Sequence, residues 1–398
     1  MKKSIAIIGS GPSALLLAAF LDDSKFDMTI YEKNFAPSRK FLVAGDGGFN
    51  LTHSENIEAF IKRYTPVDLL EKCLRAFSNT DLCDWLKSIG IETGIGSSKR
   101  VFPAEDIKPI DVLNSILKVL EKKNVRIKTQ HEWKGWKDPD ELMIDNKGQI
   151  ENIKADHVVF ALGGSSWSKT GSDGGWSKLF SKKNILILPF QASNCSYQIK
   201  WDQQFLAIAE GKSLKNISIS CTNAQKKGEV VITKFGMEGG AVYALSPQIR
   251  DELNSKNVAT IFIDLKPDLT EEQIQKVLSF KGNKSFASLL KSKLNLSEVQ
   301  IALLKTILSK EEFTNLEILA VKIKKVPIQI TGTAPIDDAI STVGGVALQE
   351  VDEYFQLKKL DGHYAIGEML DWDAPTGGYL LQACFSMGVY LAKHLNSI

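Results

Sequence analysis

The feature that most constrains the fold is a glycine loop between two apolar runs at the start of the chain. Ser4 to Ile8 is rich in isoleucine, which is typical of a strand buried on both faces. The loop Gly9 to Ala14 has the pattern G-x-G-x-x-A, and a helical run from Leu15 to Leu21 follows it. Met28 to Tyr31 is a second strand that ends at an acidic residue. This order predicts a Rossmann-like βαβ unit.

Each position of the loop has a physical task in such a unit. Gly9 allows the tight turn, and Gly11 lets a pyrophosphate approach the backbone. Ala14 keeps the helix close to the strand. The helix start, which includes Pro12 and Ser13, offers free backbone amides and the positive end of the helix dipole to the phosphates.

Glu32, at the end of the second strand, supports the same interpretation. It lies about twenty residues past the glycines, where an acidic side chain accepts both hydroxyls of an adenosine ribose and disfavours a 2′-phosphate. A glycine-rich turn in any parallel sheet is the alternative. The order strand, loop, helix, strand and acid argues against that alternative, so we expect an ADP-containing dinucleotide.

The segment after Glu32 bears on which dinucleotide binds. From Lys33 to Ser54 the chain is polar and dense in glycine, where a dehydrogenase that only transfers hydride would begin another helix. Such a segment suits a long ligand whose pyrophosphate and ribityl chain are covered by backbone donors and a cation. An ordinary mobile surface loop fits the composition equally well. The residues assigned to this cover are Lys33, Arg39, Lys40, Gly45, Gly47, Gly48, Asn50, Leu51 and Thr52.

Two later strands are expected to return the chain to the same edge of the sheet. Ala155 to Gly164 runs into glycines, as a parallel strand does where it reaches a cofactor. His157, near its start, is expected to be packed rather than catalytic. His363 to Glu368 is a further short buried strand, and a helix is predicted from Tyr379 to Leu395.

Composition excludes several classes of protein. The chain has 398 residues, 43% of them hydrophobic, and a formal charge of +2, so it can bury a large core and has no bulk attraction to nucleic acid or membranes. Its five cysteines are scattered and never spaced C-x-x-C, which indicates a reducing, cytoplasmic setting without a disulfide framework or zinc site. The N-terminus imitates a secretion signal, but Gly9, Gly11 and Pro12 interrupt its apolar run.

The chain also resembles a known family in stretches that span nearly its whole length. They are GSGPSA, AGDGGFNLTHSE, SSKRVFP (97–103), ALGGSSWSKTGSDGGW (161–176), ITKFGMEGGAVYAL (232–245) and GEMLDWDAPTGGYLLQACFSMG (367–388). The sequence is similar to the YhiN/BaiN group of flavoproteins, also called aminoacetone-oxidase-like FAD-binding enzymes, and most closely to one subgroup of it. The resemblance implies FAD as the cofactor.

For the C-terminal stretch, the resemblance implies that Glu368 or nearby Asp371 binds the ribityl hydroxyls. The helix that begins at Tyr379 would point its amides at the pyrimidine edge of the flavin, where negative charge develops on reduction. A capped helix packed on the first strand is the alternative. The remaining residues expected to bind the cofactor are Ala161, Leu162, Gly163, Gly367, Gly377, Gly378, Tyr379 and Leu380.

The sequence departs from the family pattern at positions that bear on catalysis. The wider family usually has Arg-Cys-Asn where this chain has Gly48, Phe49 and Asn50, and a histidine with an SGP-like turn where this chain has Lys234 and Glu238. Chemistry that depends on that cysteine or histidine does not carry over. The candidates for proton transfer are His53, Lys234 and Glu238, each of which is more often a structural residue, so the catalytic residue stays open.

The expected fold class is α/β, with a Rossmann-like FAD-binding domain on a discontinuous parallel sheet, an inserted antiparallel β domain and a small helical domain. The FAD-binding domain is assigned to residues 1–190 and 341–398. The insertion is assigned as a β domain at 191–266, a helical subdomain at 267–325 and a return strand at 326–340. Thr80 and Ser309 are expected to cap helices.

The resemblance and the absence of other catalytic motifs favour a FAD-dependent oxidoreductase acting on a small amine or an activated C=C. No second G-x-G-x-x-G unit follows a strand, so NAD(P)H would be used without a dedicated domain. One alternative is an RNA-modifying flavoenzyme that reduces uracil to dihydrouracil. Residues 266–325 carry 11 lysines against 7 acids, but no arginine, so RNA is not favoured. Another alternative is a non-catalytic FAD-binding redox sensor. The oligomeric state stays open.

Overall fold

The computed structural model describes residues 1–43, 49–138, 141–279 and 285–398. The chain forms two compact units. The first comprises Met1–Ala192 and Ile336–Ile398, and the second comprises Ser193–Pro335. The finer division of the insertion into a β domain, a helical subdomain and a return strand stays a prediction.

The elements are as follows. The strands of the described chain are β1 (Lys3–Ile8), β2 (Phe26–Glu32), β3 (Thr52–His53), β4 (Thr93–Ile95), β5 (Arg100–Pro103), β6 (Arg126–Thr129), β7 (His131–Asp138), β8 (Glu141–Asn146), β9 (Gln149–Ile153), β10 (His157–Phe160), β11 (Ile187–Ser193), β12 (Tyr197–Gln198), β13 (Ser213–Cys221), β14 (Ala224–Ile232), β15 (Gly236–Glu238), β16 (Ala259–Asp264), β17 (Val326–Ile330), β18 (Gly332–Thr333), β19 (Ser341–Val346) and β20 (His363–Ala365). The helices are α1 (Pro12–Phe20), α2 (Arg39–Val43), α3 (Ile57–Ile61), α4 (Val67–Ala76), α5 (Asn79–Ser88), α6 (Pro109–Lys122), α7 (Ser177–Ser181), α8 (Gln203–Ala209), α9 (Gly240–Tyr243), α10 (Ser246–Lys256), α11 (Glu271–Ser279), α12 (Phe286–Lys293), α13 (Glu298–Ile307), α14 (Lys310–Thr314), α15 (Leu316–Lys324) and α16 (Tyr379–Ser397).

The first unit is built on a parallel sheet with the strand order β20-β10-β1-β2-β6. The central strand β1 is buried from Ile5 to Ile8, which explains its run of isoleucine. Because all these strands run in one direction, the segments after β1, β10 and β20 meet at the same edge of the sheet. The structure therefore confirms the Rossmann-like fold and its discontinuous sheet.

The last helix packs against the first. A Cβ atom added at Gly388 of α16 would lie 2.3 Å from the carbonyl oxygen of Ser13 in α1, so the backbones approach more closely than any side chain allows. Two residues earlier in α16, the hydroxyl of Ser386 donates to the carbonyl of Phe77 at 2.7 Å. The two termini of the chain therefore share one core.

Aromatic side chains fill the space on one side of β10. The rings of Trp133 and Phe180 lie 4.8 and 5.1 Å from the ring of Phe160, centroid to centroid. Trp133 belongs to a three-stranded antiparallel sheet, β7-β8-β9. This small sheet completes the core of the first unit on that side.

The second unit contains an antiparallel sheet in the order β17-β16-β13-β14-β15-β12-β18. Helices α11 to α15 lie between β16 and β17 in the chain. The capping box predicted at Ser309 is confirmed, because its hydroxyl accepts from the amide of Glu312 and its amide donates to the Glu312 carboxylate.

Some local predictions were wrong or incomplete. Helix α5 begins at Asn79, two residues earlier than a cap at Thr80 implies, and its cap is Ser78. The hydroxyl of Ser78 accepts from the amide of Asp81, and the amide of Ser78 donates to the Asp81 carboxylate, which forms the capping box. The strands β4, β5, β7, β8 and β9 were not predicted.

Candidate functional site

A cavity of about 490 Å³ opens at the edge of the parallel sheet, entirely within the first unit. Its volume is in the usual range for cofactor and small-molecule sites. The predicted cofactor residues that line it are Gly9, Gly11, Pro12, Ser13, Glu32, Lys33, Arg39, Lys40, Ala161, Leu162, Gly163, Gly367 and Glu368. The structure thus brings four separate stretches of the chain to one place.

The glycine loop has the geometry that phosphate binding needs. Gly9 has a φ of +97°, and a Cβ there would lie 2.4 Å from the carbonyl oxygen of Ala161. Gly11 precedes α1 with a φ of −69° and provides no side-chain cap. A Cβ at Gly11 would meet only open space. The first amides of α1 therefore face an uncovered wall of the cavity, while the buried Ala14 packs beneath them.

Glu32 is buried and held by four hydrogen bonds. One carboxylate oxygen accepts from the amide and hydroxyl of Ser10 at 3.2 and 2.5 Å. The other accepts from the amide and side chain of Asn34 at 2.8 and 2.7 Å. These bonds use the roughly four acceptor positions of a carboxylate. A ribose diol would therefore displace or share a bond of Ser10 or Asn34, two residues that sequence reasoning missed.

Two ion pairs cross the cavity wall. Lys33 lies 2.7 Å from Asp173, and Lys40 lies 2.9 Å from Glu368. Burial opposes ionisation of Asp173, but hydrogen bonds from Lys33 and the amide of Gly175 outweigh it and lower the pKa of the carboxyl. Each pair joins two segments that are far apart in sequence. The Lys33–Asp173 pair closes the wall between the end of β2 and the loop after β10, and the Lys40–Glu368 pair closes it between α2 and the segment after β20.

Of the two predicted ribityl ligands, Glu368 lines the cavity and Asp371 does not appear in its wall. Glu368 also accepts from the amide of Thr342 at 3.1 Å. Asp371 accepts from the amide of Gly344, within β19, at 2.9 Å. These contacts favour Glu368 for the ribityl role.

A second group of predicted residues gathers at the start of α16, which we call the helix-start region (residues 50–55 and 377–380). Gly378 has a φ of +97°, and a Cβ there would lie 2.5 Å from the backbone of Thr52. Leu51 is buried, and its amide donates to the carbonyl of Val101 at 2.8 Å. The predicted residues found here are Asn50, Leu51, Thr52, Gly377, Gly378, Tyr379 and Leu380. The predicted Gly45, Gly47 and Gly48 lie outside the described residues.

Two buried hydroxyls supply a test of whether the residues fit FAD. The Oγ1 of Thr52 and the Oγ of Ser172 have no hydrogen-bond partner within the described parts of the chain. Ser172 lies in the wall of the cavity, and Thr52 lies against Gly378. Buried hydroxyls are costly when unpaired, so polar groups of a ligand at these places would satisfy them. Together with the open space at Gly11, these donors fit a flavin dinucleotide.

His53, the proton-transfer candidate in the helix-start region, is neutral at pH 7. Burial lowers the pKa of its ring, and the nearby carboxylate of Glu55 offsets this only in part. The amide of Glu55 donates to its Nδ1 at 3.2 Å, which assigns the ring proton to Nε2. His53 is thus a neutral N–H donor next to Thr52.

The other two candidates belong to the second unit. Lys234 is exposed, and the carboxylate of Glu238 accepts from the hydroxyl of Ser196 at 2.7 Å. A role for either residue in proton transfer stays a prediction. His157 is buried at the start of β10, as expected of a packed residue.

Sequence reasoning also missed Ser38, Ser172, Asp173 and Cys384 as residues of the cavity wall. The sequence signal that could have identified Ser172 and Asp173 is the glycine-rich GSDGG turn at residues 171–175. Burial, and then the charge of Glu368, raises the pKa of the Cys384 thiol to about 12. This thiol is therefore protonated and is not a nucleophile.

Comparison with known proteins decides the family. The model of the HI0933-like protein Rossmann domain matches residues 3–394. The chain belongs to this family. It is a family of FAD-dependent oxidoreductases, and the first unit described above is the Rossmann FAD-binding domain of a flavoprotein.

Curated relatives of this HI0933-like chain align over nearly their full lengths. The 3-dehydro-bile acid delta(4,6)-reductase of Clostridium scindens is 25% identical over 98% of this chain and 97% of its own. The ribosomal RNA dihydrouridine synthase of Haemophilus influenzae is 22% identical over 96% of this chain and 95% of its own. The enzyme of the same name from Escherichia coli is 22% identical over 98% and 97%.

Solved structures show the same fold. A flavocytochrome c3 fumarate reductase in its open conformation has a TM-score of 0.52 at 13% identity and covers 99% of this chain and 78% of its own. The 3-ketosteroid-delta4-(5alpha)-dehydrogenase of Rhodococcus jostii also has a TM-score of 0.52, at 12% identity. The match covers 98% of this chain and 96% of the dehydrogenase. Across the described ranges, no helix has the length and apolar character needed to cross a membrane.

Proposed function

We propose that this HI0933-like protein binds FAD and uses it to reduce an activated C=C bond in a small organic substrate. The observation that carries the proposal is the cavity bounded by the glycine loop, Glu32 and Glu368, in a chain that matches an FAD-dependent family over residues 3–394. Bound FAD supplies the hydride or electron transfer. The protein supplies binding and orientation.

The names of the relatives support the substrate class. A delta(4,6)-reductase acts on carbon–carbon double bonds of a bile acid, and a dihydrouridine synthase makes the reduced form of a uracil ring. Both names describe addition of hydrogen across a double bond next to an electron-withdrawing group. An amine substrate, the other class expected from the resemblance, stays a prediction, as does NAD(P)H as the electron donor.

Each part of the chain has a task in this proposal. The amides at Gly11 and Ser13 would hold the diphosphate, and Glu32 the adenosine ribose. Glu368, oriented by Lys40 and Thr342, would hold the ribityl chain. His53, whose ring is neutral, would orient a water molecule that delivers the proton to the substrate carbon after hydride transfer.

The first experiment is to purify the protein and identify any flavin released by heating. Anaerobic mixing with NADH or NADPH then tests the electron donor, and a panel of conjugated enones tests the substrate class. We expect a yellow protein that is bleached by NAD(P)H and reoxidised by an enone. A protein that takes up no FAD would overturn the proposal. A protein that holds FAD but turns over no reductant or substrate would instead be the redox sensor.

RNA is the second candidate substrate, because two relatives carry the name of ribosomal RNA dihydrouridine synthases. The lysines of residues 266–325 would supply the phosphate contacts. This candidate predicts RNA binding that weakens steeply with salt, and dihydrouridine in the RNA after turnover with NAD(P)H. The small-molecule proposal predicts neither result.

A further inference from the structure

We propose that Tyr379, Glu55 and Arg63 form a latch that holds the segment Thr52–Glu55 against the first turn of α16, and that this latch raises the reduction potential of the bound flavin. The inference rests on the proposed function, since it assigns a task to residues beside the proposed flavin. In this latch Tyr379 and Glu55 are positioning residues that act through the donors they hold.

The latch consists of short, charge-assisted contacts. The hydroxyl of Tyr379 donates to Oε1 of Glu55 at 2.6 Å. The guanidinium of Arg63 donates to both oxygens of the same carboxylate, at 3.0 and 2.8 Å. Tyr379 is 5% exposed and the side chain of Glu55 is 12% exposed. Because the carboxylate is shielded and bidentately paired, these bonds are stronger than those of an exposed ion pair.

Further contacts fix both partners of the latch. The ring of His53 stacks on that of Tyr379 at 5.2 Å with an angle of 22° between planes. The buried Asn79 donates to the carbonyls of His53 and Glu55 at 2.7 and 3.0 Å. The hydroxyl of Tyr64 donates to the carbonyl of Tyr379 at 2.8 Å. The segment and the helix start therefore form one rigid assembly.

The latch holds two kinds of hydrogen-bond donor side by side. One is the hydroxyl of Thr52, which is fully buried and has no partner among the residues that the structure describes. The other is the set of first-turn amides of the long helix α16, which begins at Tyr379 without a side-chain cap. Thr52 touches this helix start through Gly378. An unpaired hydroxyl next to a helix N-terminus makes a receptor for an electron-rich group.

Such a receptor discriminates between the two redox states of a flavin. The reduced ring carries more negative charge at its pyrimidine edge, so fixed donors aimed there stabilise the reduced form more than the oxidised form. Loss of the latch frees Thr52 to move away from α16, which weakens this preference. We expect the ratio of affinities for reduced and oxidised FAD to fall about tenfold, which lowers the midpoint potential by about 30 mV for a two-electron couple.

The test compares Tyr379→Phe and Glu55→Gln with a matched control, Glu58→Gln, in the holoprotein. Tyr379→Phe keeps the ring that packs on His53 and Phe60. Glu58 also pairs bidentately with an arginine, Arg75, at 2.7 and 3.0 Å, but its side chain is 65% exposed. The measurements are the midpoint potential of bound FAD, the dissociation constant for sulfite, and hydrogen exchange of residues 51–55 in the flavin-free protein.

Both latch variants should lower the potential by about 30 mV, weaken sulfite binding about tenfold and speed exchange of residues 51–55, while Glu58→Gln changes none of these. The double variant should shift the potential no further than either single variant, since each single variant already breaks the latch. Faster exchange with an unchanged potential would overturn the redox role. Unchanged exchange in both variants would overturn the latch itself. A natural chain that binds no FAD would instead overturn the proposed function.

Discussion

The cavity at the sheet edge and the helix-start region differ in how their polar groups are used. In the cavity, Glu32 is saturated by Ser10 and Asn34, and Lys40 is paired with Glu368. In the helix-start region, the hydroxyl of Thr52 is buried and unpaired within the described chain. The cavity therefore holds its shape through paired charged groups, with the hydroxyl of Ser172 left for a ligand, whereas the helix-start region offers the hydroxyl of Thr52 beside the first-turn amides of α16. Affinity and redox tuning should accordingly respond to different substitutions.

The largest effect is expected at Gly11. Gly11→Asp would place a carboxylate in the open space where the diphosphate is expected, without steric conflict in the fold. We expect FAD affinity to fall by more than about 100-fold, or about 2.7 kcal/mol, in an equilibrium titration. Gly94→Asp is the control, because a Cβ there also meets open space and it lies outside the cavity wall. Equal FAD affinity in the two variants would contradict the assignment of the diphosphate.

A smaller loss is expected from Glu32→Gln. The amide would bring a donor to a place where four donors already converge, so we expect about a tenfold loss of FAD affinity and about 1–2 kcal/mol less stability. Calorimetry and denaturant unfolding measure the two. Asp27→Asn is the control, because Asp27 lies on the same strand as Glu32 but forms an exposed ion pair with Arg126. It should change neither the FAD affinity nor the stability. An unaffected Glu32→Gln would remove this carboxylate from the cofactor site.

Thr52→Val separates the two properties of the helix-start region, because it should stabilise the flavin-free protein and yet lower the potential of bound FAD. Removal of an unpaired buried hydroxyl should stabilise the flavin-free protein by about 1 kcal/mol, since the group is desolvated without a bond. The same change should lower the potential of bound FAD, because a donor to the reduced ring is lost. Denaturant unfolding of the flavin-free protein and potentiometry of the loaded protein measure the two signs. A destabilised flavin-free variant would show that Thr52 already has a partner.

The smallest effect concerns pH. Burial opposes ionisation of Glu55, but hydrogen bonds from Arg63 and Tyr379 outweigh it and lower the pKa of the carboxyl. A lowered folded-state pKa stabilises the fold above the unfolded-state pKa, near 4.3, and this contribution is lost as the pH falls through the folded-state value. The stability advantage of the natural chain over Glu55→Gln should therefore be full at pH 7 and shrink below about pH 4. A constant difference across this range would contradict the assigned ionisation.

Local pattern predicted the elements whose periodicity is regular. The strand, loop and helix from Lys3 to Phe20 and the helix α16 follow from apolar runs bounded by glycines. Strand β7 was not predicted, because a bulge between Trp133 and Gly135 breaks its alternation of buried and exposed residues. As a result, Trp133 and Trp136 are both buried although they lie three residues apart. The cap of α5 was misplaced for a local reason, since Ser78 and Thr80 both have capping side chains.

The residues of the candidate site also divide into those that the sequence pattern predicted and those that it did not. Motif spacing predicted Gly9, Gly11 and Glu32 at the cavity, because their roles depend on local backbone geometry. It did not predict the partners of Glu32 or the latch, because Tyr379 and Glu55 are brought together only by tertiary packing. The polar segment after Glu32 indicated Thr52, and the family resemblance indicated Tyr379, but only the structure shows which of the two is already paired.

The measurement that tests the account most directly is a crystal structure of the FAD-loaded protein. The account predicts the diphosphate on the amides that follow Gly11, and the pyrimidine edge of the ring within hydrogen-bond distance of the Thr52 hydroxyl and the first turn of α16. A flavin whose ring lies far from residues 377–379, with the Thr52 hydroxyl still unpaired, would contradict it.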